Sequence, residues 1–105
     1  MKMIQHQTLT IAGAISLLFF AATSHAEVDA HARNLAASCA ACHGTNGHSV
    51  GGTPVLAGLD KALFVTQMKD FKSGARPSTV MYNHAKGYTD EEFGKLADFF
   101  AAQKR

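Results

Sequence analysis

Apolar positions recur with helical spacing in three stretches of this chain. The first stretch runs from about residue 28 to residue 42, and Leu35, Ala36 and Cys39 share one of its faces. The segment that follows, 44–58, contains five glycines and one proline. Because both residue types interrupt regular structure, this segment is predicted to be a loop.

The second and third stretches have clear helix start signals. Asp60 is a predicted N-cap, and apolar residues follow it at helical spacing until glycine and proline end the pattern at 74–77. The third stretch opens with a capping box, in which Thr89 is the cap and Glu92 follows three residues later. No segment alternates apolar and polar residues for long enough to predict a strand. The sequence therefore predicts an all-α protein.

The first 26 residues have the pattern of a secretory signal peptide. Lys2 supplies a positive start, residues 9–22 form an apolar run, and Ser24-His25-Ala26 is a typical cleavage sequence. The apolar run is short for a membrane span, so a retained anchor is the weaker alternative and no stable membrane insertion is expected after cleavage near Ala26. The mature chain, 27–105, is then one small domain.

The mature chain is nearly neutral, with nine basic and eight acidic residues once Lys2 has left with the signal peptide. This balance gives no support to nucleic-acid binding. A domain of this size also has little apolar core of its own, so it usually needs a cross-link, a metal or a covalently held group for stability.

The strongest chemical signal is Cys39-Ala40-Ala41-Cys42-His43, which is the attachment pattern of c-type haem. Two cysteines three residues apart on a helix face the same way, so their sulfurs can bond the two vinyl groups of one porphyrin. The adjacent His43 can ligate the iron while its other ring nitrogen binds a backbone acceptor. We therefore expect one covalently bound haem c, attached at Cys39 and Cys42.

Three other interpretations of the two cysteines are weaker. A zinc site could use His43 and His48, but these ligands lack the connecting segment of a zinc finger. A redox-active dithiol would need a surrounding strand-helix-strand pattern, and a structural disulfide would not need a histidine at the next position.

These residues resemble the class I c-type cytochromes, which are small helical domains wrapped around one haem. The resemblance implies a fold of three main helices, with the first and last packed together. The sequence Thr53-Pro54-Val55-Leu56-Ala57-Gly58 is similar to the proline loop of that family. This implies that Pro54 lies beside His43 and that a carbonyl of the loop accepts the imidazole N–H. Attachment of c-type haem outside the cytoplasm agrees with export, so a periplasmic protein is expected.

The second axial ligand of the iron is predicted to be a methionine. Met68 follows the apolar pattern of the second helix, which is typical of a core residue. Met81 lies in a loop-like stretch, 78–82, which matches the place of the family's ligand. His84 is the main alternative and would give a bis-histidine iron, and an open or water-filled position is the third possibility.

A Met–His iron has no free coordination position, which predicts one-electron transfer rather than catalysis at the metal. The runs 71–77, 79–81 and 86–92 are similar to the haem subunit of flavocytochrome c sulfide dehydrogenase. That resemblance implies a non-catalytic subunit that accepts electrons from an FAD-containing flavoprotein. Lys69, Lys72 and Lys86 are then expected at the rim of the interface. The alternatives are a free shuttle to a terminal oxidase and, less favoured, an open-site haem enzyme or gas sensor.

Overall fold

The structure is a computed structural model that describes residues 29–105. This part of the chain forms five α-helices and one short 3₁₀ turn: α1 (Ala30–Ala37), α2 (Ala40–His43), the 3₁₀ turn (Thr45–Gly47), α3 (Lys61–Ser73), α4 (Met81–Lys86) and α5 (Asp90–Ala101). The described residues contain no strand, which confirms the predicted all-α class. Within 29–105, no helix has the length and hydrophobicity that crossing a membrane requires. The predicted signal peptide lies outside the described residues.

Helices α3 and α5 begin where their capping residues predict. The Asp60 carboxylate accepts the Leu63 N–H at 2.9 Å. At α5, Thr89 Oγ1 accepts the Glu92 N–H at 3.1 Å and the Glu92 carboxylate accepts the Thr89 N–H at 2.8 Å. These bonds satisfy backbone donors that have no partner within the helix. Gly74 ends α3 in the left-handed conformation, with φ of 82°.

The first predicted helix is broken at residues 38 and 39 instead of running to Cys42. The Cys39 N–H donates to the Ala36 carbonyl at 3.1 Å rather than to the Leu35 carbonyl. The Leu35 carbonyl instead lies 3.3 Å from Ser38 Oγ and 3.4 Å from the Tyr88 hydroxyl. Side-chain hydroxyls that bind a helix carbonyl compete with the helix ladder, which explains the break.

The stretch around Met81 is also more regular than expected, because Met81 is the first residue of the six-residue helix α4. Ser78 Oγ accepts the Tyr82 N–H at 2.9 Å and so satisfies a donor in the first turn. A helix this short spans fewer than two turns, so its apolar period cannot be recognised in the sequence.

The core lies between α1, α3 and α5, and the first and last helices pack against each other as the resemblance implies. Helix α1 contributes the small buried residues Ala32 and Ala36, which allow α5 to approach closely. Aromatic rings fill the centre, with 5.6 Å between the centroids of Phe64 and Phe100. The buried residues of this core cluster are Ala32, Ala36, Phe64, Met68, Ala85, Phe93, Leu96, Ala97, Phe99 and Phe100.

The glycine-rich loop is tied to this core at its end. The Gly47 carbonyl accepts the N–H groups of Leu56 and Ala57 at 2.9 and 3.2 Å, and the Gly58 N–H donates to the Phe100 carbonyl at 2.8 Å. These bonds fix the part of the loop that contains Pro54 in front of α2.

Candidate haem site

A cavity of about 490 Å³ opens between the α1–α2 segment, the glycine-rich loop, α3 and α4. Its volume lies in the usual range for ligand and cofactor sites. The structure brings all five predicted site residues to its walls: Cys39, Cys42, His43, Pro54 and Met81. A more open hollow, lined by residues 48–50 with Val55 and Arg105, contains none of the predicted iron ligands.

Cys39 and Cys42 lie on one wall of the cavity, on either side of the start of α2. Both are free thiols, so the disulfide alternative is not adopted here. Cys39 is half-buried, and this burial raises the pKa of its thiol. Cys42 is exposed. For the zinc alternative, no three His, Cys, Asp or Glu side chains between residues 29 and 105 form a metal-binding group.

The most informative contact of the site joins His43 to Pro54. The Nδ1 atom of His43 lies 2.7 Å from the Pro54 carbonyl oxygen. A carbonyl only accepts hydrogen bonds, so Nδ1 carries the proton in this contact. In the neutral imidazole, Nε2 then keeps its lone pair and is free to bind a metal. This geometry agrees with what the family resemblance implies for the two residues.

Three candidates for the second axial ligand line the same cavity: Met68, Met81 and His84. Met68 is only 6% exposed and belongs to the buried core. Met81 is half-buried at the start of α4, packed against that core without being part of it. His84 is exposed and lies one turn further along α4. Met81 and His84 therefore lie on the same side of the cavity, where α4 forms its wall.

Arg76 also lines the cavity, although no pattern in the sequence predicts a role for it. Among the described residues that line the cavity, it is the only lysine or arginine. Its guanidinium carbon lies 4.9 Å from the centre of the Phe71 ring, and its backbone N–H donates to the Asp70 carbonyl at 3.1 Å. Its place two residues after the helix-ending Gly74 was a possible signal, but spacing does not reveal that this turn lies at the cavity.

The three lysines expected at an interface rim also make contacts within the chain. Lys69 Nζ lies 3.3 Å from the Asp90 carboxylate, and Lys72 Nζ donates to the Tyr88 carbonyl at 2.5 Å. Lys86 Nζ lies 3.9 Å from the centre of the Tyr82 ring. None of the three lines the cavity, so their place at the rim of an interface stays an expectation. The cavity is bordered instead by the exposed apolar residues Val55 and Val80.

Comparison with known proteins gives consistent results. The family model described as "Cytochrome c" matches residues 30–104. The chain is 48% identical over 66 residues to the cytochrome subunit of sulfide dehydrogenase of Chlorobaculum tepidum, covering 63% of this chain and 60% of that protein. It is 41% identical over 64 residues to a thiosulfate dehydrogenase electron acceptor of Stutzerimonas stutzeri, covering 59% of this chain and 30% of that protein.

A third relative is matched along nearly its whole length. The chain is 32% identical over 93 residues to cytochrome c-553 of Helicobacter pylori, covering 87% of this chain and 94% of that protein. By contrast, the matches span less than two thirds of the first two relatives.

Proposed function

Since this chain belongs to the cytochrome c family and serves in electron transfer, we propose that it carries a single haem c, attached at Cys39 and Cys42. The observation that carries this proposal is the 2.7 Å contact between His43 Nδ1 and the Pro54 carbonyl, beside both cysteines. It selects the tautomer of His43 that can ligate iron. The same cavity contains a thioether on its α4 wall, at Met81.

The side chains of the cavity fit a haem in chemistry as well as in position. Two thiols are available for thioether bonds, an imidazole and a thioether for the axial positions, and Arg76 for the negative charge of a propionate. Apolar side chains line much of the remaining wall and exclude water. A bound haem supplies a one-electron iron couple, and Met–His ligation raises its potential.

We assign the second axial position to Met81 rather than Met68 for a structural reason. Met68 is buried in the centre of α3 and belongs to the core around Phe64 and Phe100. If Met68 moved to ligate the iron, the packing of the core would be disrupted. Met81 is the first residue of the short helix α4, where a half-buried side chain can bind the iron without disturbing the core.

For the biological role, we propose a periplasmic haem subunit that accepts electrons from a sulfide-oxidising flavoprotein. The 48% identity to the cytochrome subunit of a sulfide dehydrogenase supports this role. So does the apolar border at Val55 and Val80, because permanent interfaces are more apolar than the rest of a protein surface.

A free electron shuttle is the second candidate. The observation in its favour is the match to cytochrome c-553, which spans 94% of that relative. The two roles differ in how strongly electron transfer depends on salt, because a transient complex relies more on charge steering.

Two successive measurements test the proposal. Denaturing gel electrophoresis with a haem stain should show haem that stays on the polypeptide and is lost in Cys39→Ala and Cys42→Ala. An unstained band from correctly matured wild-type protein would contradict haem c. Sulfide should then reduce the haem only when a sulfide-oxidising flavoprotein is added. Fast reduction of the isolated protein would favour an open-site enzyme, and a strong salt dependence with rapid exchange to an oxidase would favour the shuttle.

The apolar border offers a sharper test of the flavoprotein complex. Val80→Lys places a charge at the edge of the cavity and should weaken flavoprotein binding and flavin-dependent reduction. Val50→Lys is the matched control, because Val50 is fully exposed but lines the other hollow. Equal effects of both substitutions would argue against docking at the cavity border.

A further inference from the structure

Tyr88 connects two parts of the chain that are 50 residues apart. Its hydroxyl lies 2.6 Å from Ser38 Oγ and 3.4 Å from the Leu35 carbonyl oxygen. Ser38 Oγ is itself 3.3 Å from the same carbonyl. The two hydroxyl protons can form at most two of these three hydrogen bonds at a time. The three oxygens therefore form one shared hydrogen-bond network.

This network lies at the break between α1 and α2. It occupies the Leu35 carbonyl that would otherwise accept the Cys39 N–H in a continuous helix. Cys39 directly follows Ser38, so the network fixes the backbone that carries the first attachment cysteine. One wall of the haem cavity is therefore held in place by a side chain from a distant part of the sequence.

The backbone of Tyr88 belongs to the opposite wall. Its N–H donates to the Ala85 carbonyl at 3.2 Å, next to the end of α4. Its carbonyl accepts a hydrogen bond from Lys72 Nζ of α3 at 2.5 Å. Its ring packs near Phe93, with 6.4 Å between the centroids. The backbone is thus fixed to the helices around Met81, while the hydroxyl reaches the wall that carries Cys39.

We propose that Tyr88 is a positioning residue, whose hydroxyl ties the two walls together and thereby keeps Met81 on the iron. The inference rests on the proposed function, in which Met81 is the second axial ligand. Tyr88 itself lines the cavity and is half-buried, so it lies at the edge of the site. Without this tie, the α4 wall can move away from the attachment wall and expose the iron.

The experiment uses the oxidised holoprotein with added imidazole, which competes with Met81 for the iron. Binding is followed by loss of the iron–sulfur charge-transfer band. Tyr88→Phe keeps the ring and removes only the hydroxyl, and Ser38→Ala removes its partner. The loss of one net hydrogen bond should raise the apparent affinity for imidazole about 2- to 10-fold in each variant. The double variant should bind imidazole no more tightly than either single variant, because both substitutions break the same contact.

Two further variants separate positioning from general stability. Ser38→Thr retains a hydroxyl and should restore the wild-type affinity for imidazole. Tyr82→Phe is the matched control, because Tyr82 is adjacent to Met81 and its ring contacts Lys86, outside the network. It should bind imidazole as the wild type does.

The outcomes distinguish failure of the inference from failure of the proposed function. If wild type, Tyr88→Phe and Tyr82→Phe all show the band and bind imidazole equally, the positioning role is wrong and the haem site stands. The same holds if Tyr88→Phe unfolds more easily but binds imidazole like the wild type. A wild-type protein without the band would instead contradict Met81 as the ligand.

Discussion

Gly47 lies directly against Phe100. A Cβ atom added at Gly47 would be 2.9 Å from Phe100 Cδ1, and equally close to Leu56 Cβ and the Ala57 nitrogen. The residue also has φ of +80°, a conformation that L-residues rarely adopt. Its carbonyl anchors the end of the loop that contains Pro54, so the contact links the α5 core to the haem site.

We therefore expect Gly47→Ala to destabilise the protein by about 2–4 kcal/mol, because overpacking adds to backbone strain. The free energy of unfolding of the holoprotein in urea measures the effect. Gly94→Ala is the control, since nothing lies within 4 Å of a Cβ at this helical position. It should stabilise α5 by about 0.5–1 kcal/mol. Similar stabilities for the two variants would contradict the close packing at Gly47.

The two methionines of the cavity should respond differently to truncation. Met81→Ala should abolish the iron–sulfur charge-transfer band and lower the reduction potential, because the thioether ligand is lost. Met68→Ala should keep the band and reduce the free energy of unfolding by about 2–5 kcal/mol, because it leaves a cavity in the core. The reverse pattern would assign the ligand to Met68.

The variant Met81→Ala also tests His84, which lines the same cavity. If His84 takes the vacated position, the oxidised iron stays low-spin in Met81→Ala and becomes high-spin in Met81→Ala combined with His84→Ala. A low-spin spectrum with the band intact in Met81→Ala would exclude Met81 as the ligand.

Arg76 should stabilise the ionised form of a haem propionate. Arg76→Gln should therefore raise the pKa of that propionate, by about one pH unit for a nearby opposite charge. The fall of reduction potential with rising pH should move to higher pH accordingly. Potentiometric titration of the holoprotein at several pH values measures this change. Arg33→Gln is the control, because Arg33 is exposed on α1 and does not line the cavity. An unchanged pH profile for Arg76→Gln would place the propionates elsewhere.

The N-cap of α1 should make the stability of the protein depend on pH. The backbone N–H of His31, and after it the Lys95 ammonium, hold the pKa of the Asp29 carboxyl below its ordinary value of 3.8. The carboxylate therefore stabilises the fold at pH values above 3.8, and this contribution is lost as the pH falls through the lowered pKa.

Asp29→Ala removes the cap acceptor and should accordingly unfold more easily than the wild type at pH 7, and the difference should shrink in acid. Urea unfolding at a series of pH values measures both. Lys95→Gln should show a smaller loss, because the salt bridge at 3.3 Å is partly exposed and contributes less than the backbone hydrogen bond. A difference that grows as the pH falls would contradict this assignment.

Local signals in the sequence predicted those elements that depend on local interactions. The N-caps Asp60 and Thr89 bind donors only three residues away, so the starts of α3 and α5 follow from the sequence alone. The attachment motif and the contact between His43 and Pro54 were likewise expected, because a motif and a family pattern describe them.

The remaining features depend on contacts between distant residues. The break at residues 38 and 39 lies where the Tyr88 hydroxyl, from 50 residues beyond Ser38, contacts Ser38 and the Leu35 carbonyl. Helix α4 is too short for its apolar pattern to be recognised. The partners of Lys69 and Lys72 at the start of α5 become visible only when the helices are packed together. Periodicity and spacing carry no information about such contacts.

The pairing of α1 with α5 also determines the order in which the protein can mature. A core that joins the two ends of the described chain cannot close while α5 is still being synthesised, because contacts of such long sequence separation form late. Until then, Cys39 and Cys42 lie on a nascent segment with no tertiary partners. On the proposed function, both thiols are therefore accessible for haem attachment before α5 packs against α1.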